Sequence, residues 1–574
     1  MSIYDKSSLV LIPSGTKTSK VYSQKPTNGD GDFDFTRSTA ATRIAANGNI
    51  EKETQNLLLQ SNSFNTSPWN LSSATMSGGQ SGYDGSSDAW IFTTSVAGAA
   101  NLQSFSSTGV LTYSVYAKAG SVNGIRLRID TNSDADGFFN LVNGTIFQSS
   151  GIDASIEDVG GGWYRCSLAH NVAGPVKLQF FTTNGTTSYD NGSIYIQDAQ
   201  LEQGMVARDY IETTTTALYG GITDNVPRLD YTDSSCPALL LEPQRTNLTP
   251  QSEYFGSGYT FTNVTTAANA AISPEGVSNA YEMTDDATNG NHRFIRQITG
   301  NTIGQSYTYS IFLKKGTMTN AFLNLFSGGT IANVSVDLEN GTISGGSGTS
   351  QTIEDYGNDW YRCSITGTAG DPSVYIYLYM NSLGGYVGAG DNMYFYGSQI
   401  EAGSYPTSYI PTYGTSVTRN ADIFKVNNIG TNNLITNDAF TLFIDIASVQ
   451  DSENSFRDLV SIFGSKNFRL ETRTSGQVRS QQIGMVTSGD NFNSVTIGTY
   501  NIRKFAFTFT TTQCKMYVDG ALHSTYNGVY THDFNVLSVR NSSSLGAELK
   551  NEYRKVMLFP TALSEQEAID LTTI

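Results

Sequence analysis

The chain says nearly the same thing twice. Residues 156–167 read IEDVGGGWYRCS, and 197 residues later, at 353–364, the chain reads IEDYGNDWYRCS. Other landmarks recur in the same order. LTYSVYAKAG (111–120) answers to YTYSIFLKKG (307–316), IYIQDAQLEQG (194–204) to MYFYGSQIEAG (393–403), and QNLLLQSNSF (55–64) to TNLTPQSEYF (246–255). This spacing far exceeds the ~20–50 residues of a solenoid repeat, so each copy is a whole domain. Duplicated domains of this kind point to multivalent contact or an extended rod, seldom to one active site.

Within the copies the local pattern is that of strands and turns. Turn residues fall about every ten positions, the rhythm of a β-sandwich or jelly roll. Leu111, Tyr113, Val115 and Ala117 alternate onto one face, and IRLRID (125–130) alternates as cleanly. Hairpins are predicted around Asn143-Gly144 and Asn340-Gly341. Large rings at corresponding sites, Trp69 with Tyr259, Trp90 with Tyr281 and Trp163 with Trp360, read as core. Cys166 and Cys363 stand at the same place in the two copies with no second cysteine in either, so they read as small buried core residues, not as a disulfide.

These patterns divide the chain. Residues 55–214 are a first jelly-roll module and 245–414 its duplicate. Residues 1–54, thin in apolar content, are expected as hairpins docked on the first module or on a partner protein, an attachment piece. Residues 215–244 read as a linker or hairpin. Residues 415–574 match neither copy. AFTLFIDIAS and KFAFTFTTTQCKMYVDG predict another sandwich, and Ser564 with Glu567 forms a capping box that starts one short terminal helix. The expected fold class is therefore all-β throughout, with tandem sandwiches, a C-terminal sandwich and a single helix.

Charge narrows the partners. The net charge is −17, only 15% of residues are charged, and Lys and Arg are scattered. Nucleic-acid binding needs a basic track, so it is not expected. No apolar run approaches the ~20 residues of a membrane span, so no membrane insertion is expected. The beginning MSIYDKSSLVLIPSG lacks the charged-then-apolar order of a signal peptide, which predicts synthesis in the cytoplasm.

The acids and histidines are the residues that could carry chemistry. A glycosidase needs two carboxylates about 5–10 Å apart across a cleft. The repeated pairs Glu157-Asp158 and Glu354-Asp355 read instead as turn and strand-start signals, and Glu202 and Glu401 as loop-ordering acceptors. No GxSxG, HExxH or Walker motif occurs. His170, His292, His523 and His532 stand alone, so catalytic residues and organic cofactors are not expected. Asp130, Asn132, Asp134 and Asp136 alternate as calcium ligands do and are the one metal candidate, although position twelve counted from Asn132 is Asn143 instead of a bidentate Glu.

Three stretches carry a family resemblance. FTRSTAATRIAANGNIE, NVPRLDY…CPALLLEPQRTNL and WYRCS resemble segments of tail-fibre and other virion structural proteins of tailed bacteriophages. The pattern around Asn56, Trp163, Tyr164, Arg165, Gln200, Glu202, Gly204 and Tyr210 resembles their carbohydrate-binding-module-like jelly rolls. In the second copy the matching residues are Asn247, Trp360, Tyr361, Arg362, Gln399, Glu401, Gly403 and Tyr409. The last domain resembles laminin-G or concanavalin-like lectin folds. The resemblance implies a non-enzymatic virion protein, a tail fibre, head fibre or capsid decoration. It would join other virion proteins through its N-terminal piece, form a homo-oligomer and contact host surface glycans. The alternatives are a connector or adaptor whose sandwiches are spacers and, last, a glycan-degrading tailspike.

Overall fold

The computed structural model describes residues 2–573 except 97, 233, 452–456, 474–476, 484–493, 497–502, 529–531 and 540–548. The chain is all-β, built as sandwiches, with helices at Ile3–Lys6 and Glu565–Thr572. The capping box of Ser564 and Glu567 is formed. A second one, Ser2 with Asp5, starts the N-terminal turn of helix, which the sequence reading did not foresee.

The two modules share their strand order. In the second, two six-stranded sheets face each other. In the first, the equivalent strands form one ten-stranded sheet. The difference lies in two long strands, Ala100–Ala119 and Trp163–Thr183, which pair along their length and turn the corner between the two layers. The second module breaks both at that corner. Arg293–Thr299 and Ser306–Lys315 replace the first long strand, and Trp360–Thr368 and Ser373–Met380 the second. Gly109 and Gly174, at φ +97° and +109°, make the unbroken bend possible, because a side chain is strained there. Gly109 also abuts the other module: a Cβ on it would lie 1.0 Å from the Tyr413 carbonyl oxygen.

The three sandwiches are not arranged in series. The C-terminal sandwich has one sheet that takes in Leu9–Leu11, Arg228–Asp230 and Ala238–Leu241, and another that takes in Thr16–Lys17, Lys20–Val21 and Phe33–Thr36. Its core accordingly holds Leu9, Val21, Phe33, Phe35, Leu229 and Leu239 beside Phe440, Phe507 and Val556. The N-terminal strands thus spend Leu9, Leu11, Val21, Phe33 and Phe35 inside this sandwich instead of on the first module, while Ile44 and Ile50 of the Arg43–Ile44 and Ile50–Glu51 hairpin pack on the second. Arg228–Asp230 and Ala238–Leu241 pair as a hairpin, one of the two readings of 215–244, and are strands of this sandwich, so residues 415–574 do not make it alone. Each module is an insertion into it. Thr54–Asn56 pairs with Leu218–Gly220 at the root of the first module, and Arg245–Asn247 with Val417–Arg419 at the root of the second. Ends held side by side are the geometry that lets a domain be inserted without disturbing its host.

Buried ions lock these roots. Arg37, Arg228, Arg419, Glu242 and Asp422 have side chains 0% exposed. Arg37 meets Asp422 at 3.2 Å, and Glu242 meets Arg228 at 2.5 Å and Arg419 at 2.6 Å; Arg228 also binds Asp422. Burial alone would raise the Glu242 pKa, but Arg419 and Arg228 hold it well below the usual carboxylate range. A second hub joins Lys52 to Glu253 at 2.7 Å and to Glu275 at 2.6 Å, with Arg208 of the first module also on Glu275. Against burial, Arg208 and Lys52 hold the Glu275 carboxyl down to about 2. Removing one partner from such a hub strands a buried charge, at a cost of about 3–5 kcal/mol.

Candidate functional site

The residues that carry the family pattern form a clamp, built twice. Asn56 Nδ2 donates to the Ala199 and Ile211 carbonyls at 3.1 and 2.8 Å, and its Oδ1 accepts from the Leu58 and Leu201 amides. Asn247 does the same with Ser398, Ile410, Thr249 and Ile400. Gln200 Nε2 donates to Glu202, which accepts from the Arg208 amide at 2.9 Å; Gln399, Glu401 and the Thr407 amide repeat this at 2.7 and 2.9 Å. Tyr210 and Tyr409 close the set on Ser61 and Ser252 at 2.6 and 2.7 Å. These asparagine, glutamine, glutamate and tyrosine side chains are spent on the fold, so the clamp orders each module.

Trp163 and Trp360 are 3% and 1% exposed, but they lie in satellite clusters behind the sheet, outside the sandwich interiors. Trp163 packs with Tyr116 and Ala89, and Trp360 with Phe312, Ala280 and Ile50 of the N-terminal segment. Cys166 and Cys363 are fully buried in the two main cores as free thiols, their pKa pushed up by burial. Tyr164 and Tyr361 lie over hairpin glycines 144 and 341.

The repeated acid pairs lie within strands. Glu157-Asp158 lies inside Asp153–Gly160 and Glu354-Asp355 ends Ser350–Asp355, so both precede the turn instead of forming it. Neighbours on a strand point to opposite faces. Asp158 and Asp355 cap the turns by accepting from the Gly160 and Gly357 amides at 2.8 and 2.7 Å. His292 is buried among backbone carbonyls of Asn263, Thr288 and Tyr386. Among the described residues no group of three His, Cys, Asp or Glu is placed to hold a metal ion. The calcium candidates face cations already present. Asp136 meets Arg126 at 2.7 Å, Asp134 binds Arg128, and Asp130 lies 3.9 Å from both Arg128 and Lys177.

The face with binding character is the outer side of the second module's six-stranded sheet that holds Ser373–Met380. Val374, Ile376 and Leu378 point into the core, so Tyr375, Tyr377 and Tyr379 line the other side. Across the ladder Phe322 stands opposite Tyr379, Asn324 opposite Tyr377 and Phe326 opposite Tyr375. Arg293, Ile295 and Gln297 flank the tyrosines on the other neighbour. The Tyr377 and Tyr379 rings stack at 5.8 Å and 11°, while Phe322 and Phe326 meet Tyr379 and Tyr375 edge-on at 6.0 and 6.1 Å. Arg293 sits 5.4 Å over Tyr377 and donates to the Tyr379 hydroxyl at 2.7 Å. Tyr375 and Tyr377 remain half-buried, and Asn324, 5% exposed, has an Oδ1 without a hydrogen-bond partner. Burial raises the Tyr377 pKa, so the phenol stays neutral at physiological pH. The arrangement can stack an apolar ring face and orient it through a few polar groups. Sequence reasoning named no such site. The signal was the alternation of Tyr with Val, Ile and Leu in 374–379.

No family model matches the chain, and no curated protein matches it. Solved structures give partial likenesses. The carbohydrate-binding module (CBM40) of the Ruminococcus gnavus IT-sialidase, bound to α2,3-sialyllactose, is 15% identical over 24% of this chain and 83% of its own, with TM-score 0.21. The binding domain of botulinum neurotoxin serotype D is 16% identical over 26% of this chain and 39% of its own, with TM-score 0.22. The leech intramolecular trans-sialidase complexed with 2,7-anhydro-Neu5Ac is 15% identical over 24% of each chain, with TM-score 0.21. Scores this low leave the function to be read from the chain's own residues.

Proposed function

We propose that this chain is a non-enzymatic recognition protein of a bacteriophage particle and holds host-surface glycans on the open aromatic face of its second module. The observation that carries this reading is the grid of half-buried Tyr375, Tyr377 and Phe326, backed by the buried Tyr379 and Phe322 around the buried, unpaired Asn324 Oδ1. Sugar rings have apolar faces edged by hydroxyls, and such a grid matches both parts. The divergence of the adjacent carboxylates supports a binding role over hydrolysis. The phage context rests on the resemblance of the FTRS, PRLDY and LLLEPQRTNL segments, whose Arg37, Arg228 and Glu242 build the buried hub.

A second reading, a rigid connector within the particle, is favoured by those same hubs, which fix both modules to the host sandwich. Binding of the full chain to host-cell polysaccharide, with Tyr377→Ala beside it, decides between them. Glycan recognition predicts saturable binding that Tyr377→Ala weakens at least about tenfold, the equivalent of ~1.4 kcal/mol. No binding by the unaltered chain, or binding indifferent to Tyr377, would leave the connector.

A further inference from the structure

The same sheet face appears in both modules, but its surroundings differ. In the first module Asp153, Ser155 and Glu157 stand opposite Ala169, Ser167 and Arg165. In the second, Ser350, Thr352 and Glu354 stand opposite Thr366, Ser364 and Arg362. The correspondence extends to detail. Ser155 and Ser167 hydroxyls lie 2.7 Å apart, as do those of Thr352 and Ser364. Arg165 and Arg362 each donate from Nη2 to a serine, Ser114 or Ser310, and lie over an aromatic ring, Tyr116 or Phe312.

What meets these faces differs. Beside the second module's face, Lys550 of the host sandwich lines a seam of only about 20 Å³ with Tyr356, Ser408 and Tyr409. Its ammonium feels Glu354 and Glu552, whose attraction outweighs burial and raises its pKa. The first module's face has no such lysine. It looks across a cleft of about 500 Å³ to Asn269, Val277 and Ser278. That volume is within the range of small-molecule sites. Glu157 carries no ion pair among the described residues. Arg165, 9% exposed, keeps a buried Nε with no partner, and Asn269 a buried Oδ1 with none. The other arm of Asn269 is committed: Nδ2 donates to Asp153 at 2.6 Å and to the Met205 carbonyl at 3.3 Å.

We propose that this cleft binds a hydroxylated ammonium compound, the class of a protonated amino sugar. Two carboxylates against one guanidinium favour a cation, and in the duplicate face the corresponding acid, Glu354, attracts the Lys550 ammonium. Ser155, Ser167, Asn269 Oδ1 and Arg165 Nε supply donors and acceptors for hydroxyls. This site is separate from the aromatic face and does not depend on it.

Titration of the full chain with glucosamine, N-acetylglucosamine and glucose, followed by calorimetry at mildly acidic pH, tests the proposal. Glucosamine should bind saturably with a dissociation constant of order millimolar, about −4 kcal/mol. N-acetylglucosamine and glucose should bind at least about tenfold more weakly, a difference of ~1.4 kcal/mol. Glu157→Gln, at an exposed position, should weaken glucosamine by a similar factor, in the parent chain and in a Tyr377→Ala background alike. No glucosamine binding, equal binding of the three sugars, or indifference to Glu157→Gln would each overturn the proposal. Loss with Tyr377→Ala would overturn it too, by moving the binding to the aromatic face.

Discussion

On the outer sheet face the first module carries Arg126, Arg128 and Asp130 where the second carries Phe322, Asn324 and Phe326, and Lys177, Gln179 and Phe181 where the second carries Tyr375, Tyr377 and Tyr379. The core positions between them, Ile125, Leu127 and Ile129 against Ala321, Leu323 and Leu325, stay apolar in both. In the first module Arg126 is boxed by Phe138, Phe181 and Tyr189 at 5.0–5.4 Å, and the remaining charges pair with one another. In the second, Arg293 is the charge that lies over the rings, Tyr375, Tyr377 and Phe326 stay half-buried, and Tyr379 and Phe322 are buried. Duplication fixed the clamp and the inward residues, which cannot change singly without loss of packing or of hydrogen bonds. The outward residues carry no such constraint, so one copy became a self-neutralised wall and the other a stacking surface.

The largest test of this equivalence lies in the satellite clusters. Trp163→Ala and Trp360→Ala should each cost about 3–5 kcal/mol, the range for deleting a buried aromatic. Trp360→Ala should cost the more. It also loses the indole donation to the Ile272 carbonyl at 2.9 Å and uncovers Ile50 of the N-terminal segment. Denaturant unfolding monitored by the remaining tryptophans reads both values. A cost below about 1 kcal/mol at either site would mean that the cluster collapses around the gap, and the two copies would no longer be energetic equivalents.

A second test uses a position where the copies differ in charge. Asp198 and Gly397 occupy the same left-handed bulge, at φ +52° and +64°. Asp198 is 6% exposed and accepts from the Tyr83 hydroxyl at 3.0 Å. Burial, with Asp88 and Asp84 adding, pushes its carboxyl up to about 7. The sign follows from linkage. Between the unfolded value near 4 and about 7 the folded state holds a proton that the unfolded state has released, so stability falls as pH rises through that window. Asp198→Asn should therefore match the parent at pH 4 and exceed it at pH 8, by on the order of 2 kcal/mol. A pH-independent difference between the two would show that the carboxyl titrates as if exposed.

Much of this was written locally and some was not. The duplication, the strand rhythm, the Asn-Gly hairpins and the capping box at Ser564 are short-range patterns, and each is visible in a window of a dozen residues. The insertion of both modules into the C-terminal sandwich is not, because Phe33 and Phe35 of DFDFTRS look the same whether they pack on a neighbour or on Phe424, nearly four hundred residues on. The FTRS, PRLDY and LLLEP segments were recognisable as a resemblance, but their chemistry is the meeting of Arg37, Arg228 and Glu242 with Asp422 and Arg419, and no local pattern announces that meeting. The aromatic face was half legible. Alternation in SVYIYLYM places three tyrosines on one side of a strand, but which side stays uncovered depends on how the modules are seated.

The smallest expected effect concerns the wall itself. Arg128 is 24% exposed and shares Asp130, Asp134 and Asp136 with Arg126 and Lys177, so three carboxylates meet three cations. Partly exposed pairs of this kind contribute about 0–1 kcal/mol each and are screened by salt. Arg128→Ala should lower stability by no more than about 1 kcal/mol, and by less at high ionic strength. The same balance bears on calcium. A divalent ion would have to displace Arg128 to reach Asp130, Asn132, Asp134 and Asp136, so calcium should leave the Tm of the parent chain unchanged, while stabilisation by bound ligand would raise it. Arg128→Ala frees those carboxylates, and a calcium-dependent rise in that variant alone would show that the guanidinium occupies the place of the metal. A rise in the parent would restore the calcium loop and undo the contrast between a closed wall and an open face.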